Sequence, residues 1–146
     1  MEILRKLNPL TQIINKIMEE FDPEEAEELK KLCDVLRADQ ASFEAIHFIS
    51  PSLHEAIGIV LNRRSGSHID SLNTPDTWTP MVVIGSFSGG KMVLRNQGVR
   101  LRYRTGDFIM IKGREEMHEV EEWSGKLRIS YIYFTHHSIW KEAGLR

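Results

Sequence analysis

Cysteine is almost missing from this chain: Cys33 is the one thiol in 146 residues. A single cysteine excludes an internal disulfide framework and fits a reducing compartment. Long apolar runs are missing too, since none approaches the roughly 20 residues that a membrane-spanning helix needs. The start, Met1-Glu2-Ile3-Leu4-Arg5, lacks the long apolar core of a secretory signal. Nor does charge of one sign prevail. The chain has 19 Lys and Arg against 21 Asp and Glu, a formal charge of −2. That removes the argument for nucleic-acid binding from overall basicity, although a local basic face remains open. Internal repeats, low-complexity tracts and an interdomain linker are likewise missing. These absences predict a soluble intracellular domain with no membrane partner, complete or close to it.

What is present is an ordinary globular mix, 41 % hydrophobic and 27 % charged, at a length that favours one core and hence one domain over 1–146. Residues 1–40 read as helical. Ile3, Leu4, Leu7, Leu10, Ile13, Ile14, Ile17, Met18 and Phe21 recur at three- and four-residue intervals. Pro9 is expected to split this region, because an interior proline removes a hydrogen bond and clashes. Asp22-Pro23 has the form of an N-cap followed by proline at the first helical position. Ala26, Leu29, Leu32, Cys33 and Leu36 form the buried stripe of the helix that follows. Its run of glutamates suits the positive helix end and reads as a solvated face.

From about residue 42 to 137 the period changes to that of strands. Phe43, Ala45, Phe48 and Ile49 are placed in a strand, as are 56–61, 79–87, 91–94, 108–111 and 126–134. Val99, Leu101 and Tyr103 alternate with Arg100, Arg102 and Arg104, which predicts an apolar and a basic face. Ser88-Gly89-Gly90 and Thr105-Gly106-Asp107 mark turns. Many short strands after two helices indicate an α+β class, with a sandwich, jelly roll or barrel as the strand-rich part. The arginine stripe, together with Arg63, Arg64, Lys91 and Arg95, fits either phosphate contacts or an edge strand protected by charge.

Three potential metal ligands stand out: His68 and Asp70, two apart, and His118 far downstream. Two imidazoles and one carboxylate on one side of a metal leave positions open, which is the ligand set of non-haem Fe(II) oxygenases. Arg128 and Ser130, also two apart, share a strand face. A guanidinium fork beside a hydroxyl suits a carboxylate. On these residues the sequence resembles the 2-oxoglutarate and Fe(II)-dependent dioxygenases. The resemblance runs from about His47 to His137. It rests on Ser67-His68-Ile69-Asp70, Phe87-Ser88-Gly89-Gly90-Lys91-Met92, Tyr103-Arg104-Thr105-Gly106-Asp107-Phe108, Met117-His118-Glu119-Val120 and Arg128-Ile129-Ser130.

The resemblance implies a double-stranded β-helix (jelly-roll) core over 42–137, with the N-terminal helices packed on one side. It implies Fe(II) on His68, Asp70 and His118, 2-oxoglutarate held at its C5 carboxylate by Arg128 and Ser130, and dioxygen as co-substrate. A narrower likeness is to the TET/JBP branch, its fungal and protist-like members above all. It is carried by His68-Ile69-Asp70-Ser71-Leu72-Asn73, the Gly89-Gly90 turn and Trp123-Ser124-Gly125. That branch hydroxylates the methyl group of thymine or 5-methylcytosine. The likeness implies that Asn73 contacts the target base, Phe134 stacks on it and His136 bonds its edge, as an extruded base requires. DNA carrying a modified pyrimidine would then be the partner, and the nucleus joins the candidate locations. The chain lacks the branch's DNA-gripping insertions and zinc-binding cysteines. A small metabolite or a protein side chain is the alternative substrate, and a catalytically silent jelly-roll binding module is the alternative class.

Overall fold

Asp22 begins a helix as its sequence predicts. Its carboxylate accepts from the backbone N–H of Glu25 at 3.0 Å, and Pro23 occupies the first helical position. The helix, α2 (Pro23–Asp39), buries the expected stripe of Ala26, Leu29, Leu32, Cys33 and Leu36. Before it, α1 (Glu2–Phe21) runs through Pro9 without interruption, against the expected split. Proline deletes one donor from the ladder. The buried row of Leu7, Thr11, Ile14 and Met18, which packs α1 on α2, holds the turns on either side.

A second correction concerns Phe43, Ala45, Phe48 and Ile49. They lie in a helix, α3 (Ala41–Ile49), and not in a strand. Gln40 is extended at φ −129° and ψ 100°, which separates α2 from α3. Arg37 near the end of α2 reaches across this break to Glu44, with Nε to Oε2 at 2.6 Å. No α3 side chain is fully buried, and Phe48 is 86 % exposed. Without a buried face, the apolar residues carry no reliable period, and the local absence of Gly and Pro lets the helix form.

The computed structural model describes residues 2–145. Its Cα positions fall into two units, Met1–Glu55 with Ser138–Arg146, and Ala56–His137. The first holds α1 to α3 and nearly all of α4 (His137–Glu142). Cys33 lies inside it, with its thiol directed at the carbonyls of Ser52 and Leu53 at 3.5 and 3.3 Å.

The second unit holds seven described strands: β1 (Ala56–Leu61), β2 (Thr79–Gly89), β3 (Met92–Leu94), β4 (Val99–Leu101), β5 (Phe108–Ile111), β6 (His118–Val120) and β7 (Trp123–Phe134). They form two antiparallel sheets, ordered β1-β7-β2-β5 and β4-β3-β6. Side chains from both sheets meet in one core. Met81 and Val83 of β2, Ile109 and Ile111 of β5, Met92 of β3 and the loop residue Tyr103 are buried there. The class is α+β, as expected. β4 stops at Leu101, yet the alternation runs on to Arg104, with Arg100, Arg102 and Arg104 exposed. Beyond the strand Tyr103 turns inward, while Arg102 and Arg104 turn to Asp107, with Nε to Oδ2 at 3.5 and 3.9 Å.

The long pair β2–β7 aims the site. A register shift falls between Ser86 and Phe87, and Gly85 stands opposite Arg128. Gly85 has φ +139°, and a Cβ there would meet the carbonyl oxygen of Leu127 at 2.1 Å. Only glycine allows the two backbones to approach so closely.

Burial pushes the Cys33 thiol up to about 12. Because the thiolate is the reactive form, Cys33 should be nearly inert to Ellman's reagent at pH 8 in the folded protein and react fully on denaturation. Rapid labelling of native protein would contradict its placement in the helical core.

Candidate metal centre and anion pocket

His118 opens β6, and His68 pairs with it as an isolated antiparallel bridge. Each backbone N–H donates to the other's carbonyl, at 3.0 Å from His68 and 2.9 Å from His118. Such a doubly bonded pair brings the two Cα atoms to about 5.5 Å. The rings accordingly lie 4.3 Å apart between centroids, tilted by 52°. Asp70 follows, its backbone N–H donating to Gly113 O at 2.8 Å. The three candidate ligands are thus brought together, with one ligand atom from each lying within 4.8 Å of the others. His118 is buried, while His68 and Asp70 are partly exposed.

Both imidazoles are oriented in the same way. His68 Nδ1 lies 2.7 Å from Gly66 O, and His118 Nδ1 lies 2.8 Å from Glu116 O. A carbonyl only accepts, so each Nδ1 carries the proton and each Nε2 keeps a free lone pair. Those Nε2 atoms face Asp70, at 3.5 Å from Oδ1 for His68 and 3.9 Å from Oδ2 for His118. A metal ligand histidine needs this arrangement, with its second nitrogen bonded to a carbonyl or carboxylate. The trio therefore could hold a divalent ion.

Arg128 and Ser130 sit together on β7, one strand face apart by two residues as expected. The backbone N–H of Arg128 donates to Asn62 Oδ1 at 2.8 Å, and its Nη1 donates to Ser130 Oγ at 2.9 Å. Arg128 is 2 % exposed. Its guanidinium lies between two aromatic rings, 5.3 Å from the centre of Phe87 and 5.4 Å from that of Tyr103. Among the described residues, its Nε and Nη2 have no hydrogen-bond partner, and neither has the buried Tyr103 hydroxyl. Burial lowers the pKa of Arg128 and raises that of Tyr103. The phenol thus stays protonated and remains a donor. Unsatisfied buried donors cost about 1–3 kcal/mol each, and this group of them could receive an anion.

The two groups share one cavity. It has a volume of about 490 Å³, and its lining includes His68, Asp70, His118, Tyr103, Arg128 and Ser130. That is within the range of small-molecule sites. Metal ligands at one place and a cationic receptor at another suit a ligand that chelates through one end and carries a carboxylate on the other. The orphaned donors are the observation that makes 2-oxoglutarate fit.

The residues expected to hold substrate are also brought together, but elsewhere. Asn73 and His136 face each other as a bridge, and Phe134 stands edge-on to His136 with centroids 5.0 Å apart. None of the three is in the lining of the cavity. The Asn73 side chain is buried, and its Nδ2 donates to Thr79 Oγ1 at 3.2 Å and lies 3.5 Å from Asp70 Oδ2. The arginine stripe faces acids. Arg64 pairs with Glu122 at 2.9 Å, Arg95 with Glu119, and Arg100 with Glu121. Arg100 lies on β4, an edge strand of its sheet, so charge protection of an edge describes it well. Sequence reasoning missed Tyr103 and Gly113. Tyr103 was legible as an inward strand residue, but its unpartnered hydroxyl was not. Gly113 leaves no periodic signal at all.

No protein-family model matches the chain, and no curated protein matches it. Solved structures do. NgTET1 in complex with 5mC DNA superposes with a TM-score of 0.55 at 22 % identity, over 62 % of this chain and 37 % of that one. The two share a fold, a double-stranded β-helix. A collagen prolyl hydroxylase of Paramecium bursaria Chlorella virus-1, in its 2-oxoglutarate complex, gives a TM-score of 0.40 at 12 % identity, over 66 % and 70 % of the two chains. The chain spans little more than a third of the length of NgTET1. Among the described residues no helix is long and apolar enough to cross a membrane.

A receptor kept ready for a ligand opposes stability without it. Arg128→Met should leave the ligand-free protein as stable as the parent or more stable by about 1 kcal/mol, measured by chemical denaturation. A loss of about 2 kcal/mol or more would show that the guanidinium serves the fold.

Proposed function

We propose that the strand-rich unit is a dioxygenase that uses Fe(II), 2-oxoglutarate and dioxygen to hydroxylate a C–H bond. His68, Asp70 and His118 hold the metal. The observation that carries this reading is the buried, half-satisfied guanidinium of Arg128 in the same cavity as the ligand trio. With metal, co-substrate and dioxygen bound, oxidative decarboxylation to succinate and carbon dioxide supplies the oxidant that attacks the C–H bond.

The remaining work belongs to the side chains. Arg128 takes the far carboxylate of 2-oxoglutarate through Nε and Nη2, while Ser130 fixes Nη1. The Tyr103 hydroxyl donates a hydrogen bond to the same carboxylate. Charge-assisted bonds of this kind are the strong ones, and burial strengthens them. Met81 and Ile132 line the cavity with apolar surface and exclude water from the reacting centre. The carbonyls of Gly66 and Glu116 keep both histidines in the tautomer that presents Nε2.

The substrate we assign is the methyl group of 5-methylcytosine or thymine in nucleic acid. The His68-Ile69-Asp70-Ser71-Leu72-Asn73 pattern supports this, as does the fold shared with NgTET1, which was solved with 5mC DNA. In this reading Phe134 is the stacking platform and His136 an edge contact. A second reading, a small metabolite or a protein side chain, is favoured by the pairing of Arg64, Arg95 and Arg100 with glutamates, which leaves less charge for phosphates.

The test is succinate formation from 2-oxoglutarate by Fe(II)-loaded protein under air, with and without oligonucleotides containing 5-methylcytosine. Product nucleosides are read by mass spectrometry. Succinate stimulated by the oligonucleotide, with hydroxymethylcytosine formed, is the expected result. Succinate without base oxidation keeps the oxygenase and favours the second reading. No succinate from metal-loaded protein would leave a silent binding module. Asp70→Ala should abolish turnover, and Arg128→Ala should raise the KM for 2-oxoglutarate at least tenfold, the cost of about 1.4 kcal/mol of binding. An unchanged KM would remove Arg128 from the co-substrate site.

A further inference from the structure

The carboxylate of Asp70 lies in a recess that the chain has built from three separate segments. Gly113 forms its floor. A Cβ on Gly113 would meet Asp70 Oδ2 at 2.4 Å and Thr79 Oγ1 at 3.0 Å. The φ of Gly113 is not in the left-handed region, so its backbone does not call for glycine, but a side chain there would displace the Asp70 carboxylate. The same residue's carbonyl accepts from the backbone N–H of Asp70. Thr79, at the start of β2, and Asn73 form the wall. Both are buried, and they are joined by the Asn73 Nδ2 to Thr79 Oγ1 bond.

Asn73 is itself held on every side. Its backbone N–H donates to Asp70 O at 2.9 Å, and its carbonyl accepts from Arg114 Nη1 at 2.7 Å. Arg114 follows Gly113 directly, so the turn that forms the floor also clamps the wall. The amide of Asn73 then has one donor group, Nδ2, directed at Thr79 and at Asp70 Oδ2. That direction is toward the ligand trio.

We infer that Gly113, Asn73 and Thr79 are positioning residues for Asp70. The inference rests on the reading of His68, Asp70 and His118 as a metal site. A carboxylate free to rotate offers either oxygen to an ion and loses entropy on binding it. With Gly113 below and Asn73 beside Oδ2, the plane of the group is set before the metal arrives. Partners of this outer kind alter metal affinity by roughly 10–100-fold. Metal affinity is the readout for this role, because the base contact that the TET/JBP likeness implies for Asn73 would by itself leave it unchanged.

The experiment is titration of the full chain with Mn(II), with free ion read by electron paramagnetic resonance and no co-substrate present. Asn73→Ala, Thr79→Val and Gly113→Ala should each weaken Mn(II) binding by roughly tenfold or more, and Thr79→Ser should restore it. Thermal unfolding of the metal-free variants reports any purely structural damage. If Gly113→Ala does not fold, the Asn73 and Thr79 variants decide. Mn(II) affinity unchanged in Asn73→Ala and Thr79→Val, but lost in Asp70→Ala, would overturn the seat and leave the metal site standing. Parent protein that binds Mn(II) no better than Asp70→Ala would overturn both.

Discussion

The antiparallel pairing of His68 with His118 is the contact on which the rest of the site depends. Two backbone hydrogen bonds join segments that are far apart in the chain. Because they are exchanged between the same two residues, they set ring beside ring without any side-chain bond between the histidines. A separate backbone bond, from Asp70 N–H to Gly113 O, positions the third ligand. Each histidine then turns its Nδ1 to a carbonyl two residues earlier in its own segment. Local loop geometry thereby orients the ring, and the long-range pairing decides what stands opposite it.

Arg128 shows the opposite strategy, a group held at a cost. Its guanidinium is buried between Phe87 and Tyr103, and β7 satisfies one of its three nitrogens through Ser130. Cation–π contacts return part of the desolvation penalty, of order 0.5–2 kcal/mol each, but they do not satisfy N–H groups directed at an empty region. The close β2–β7 approach at Gly85 holds the strand that carries it. The unpartnered donors are what the proposed anion pocket rests on.

Much of this was legible in the residues. The cap and stripe of α2 follow from short-range pattern, whereas Ile3, Ile13 and Phe21 of the expected α1 face are exposed; five of the strand segments lie where alternating or continuous apolar runs put them. The failures have physical causes. Segment 41–49 buries nothing, so its apolar spacing carried no signal, and Pro9 was overruled by a buried face that continues on both sides of it. The bond from Asn73 to Thr79 is a contact that no spacing rule reports.

The sequence by itself determined the residue types and their local phase. Spacing of two puts Arg128 with Ser130 on one face, and the same spacing relates His68 to Asp70, because the period of an extended chain depends on backbone sterics alone. The tertiary structure decided which distant segment closes on which: His118 on His68, Gly113 beneath Asp70, Tyr103 against Arg128. Those meetings depend on strand order and on a shared core, and they are set by packing over the whole unit. Hydrogen-bond satisfaction is decided there as well. Whether a buried donor is paired is a fact about its surroundings, and here the unpaired ones face the cavity in which the ligand trio stands.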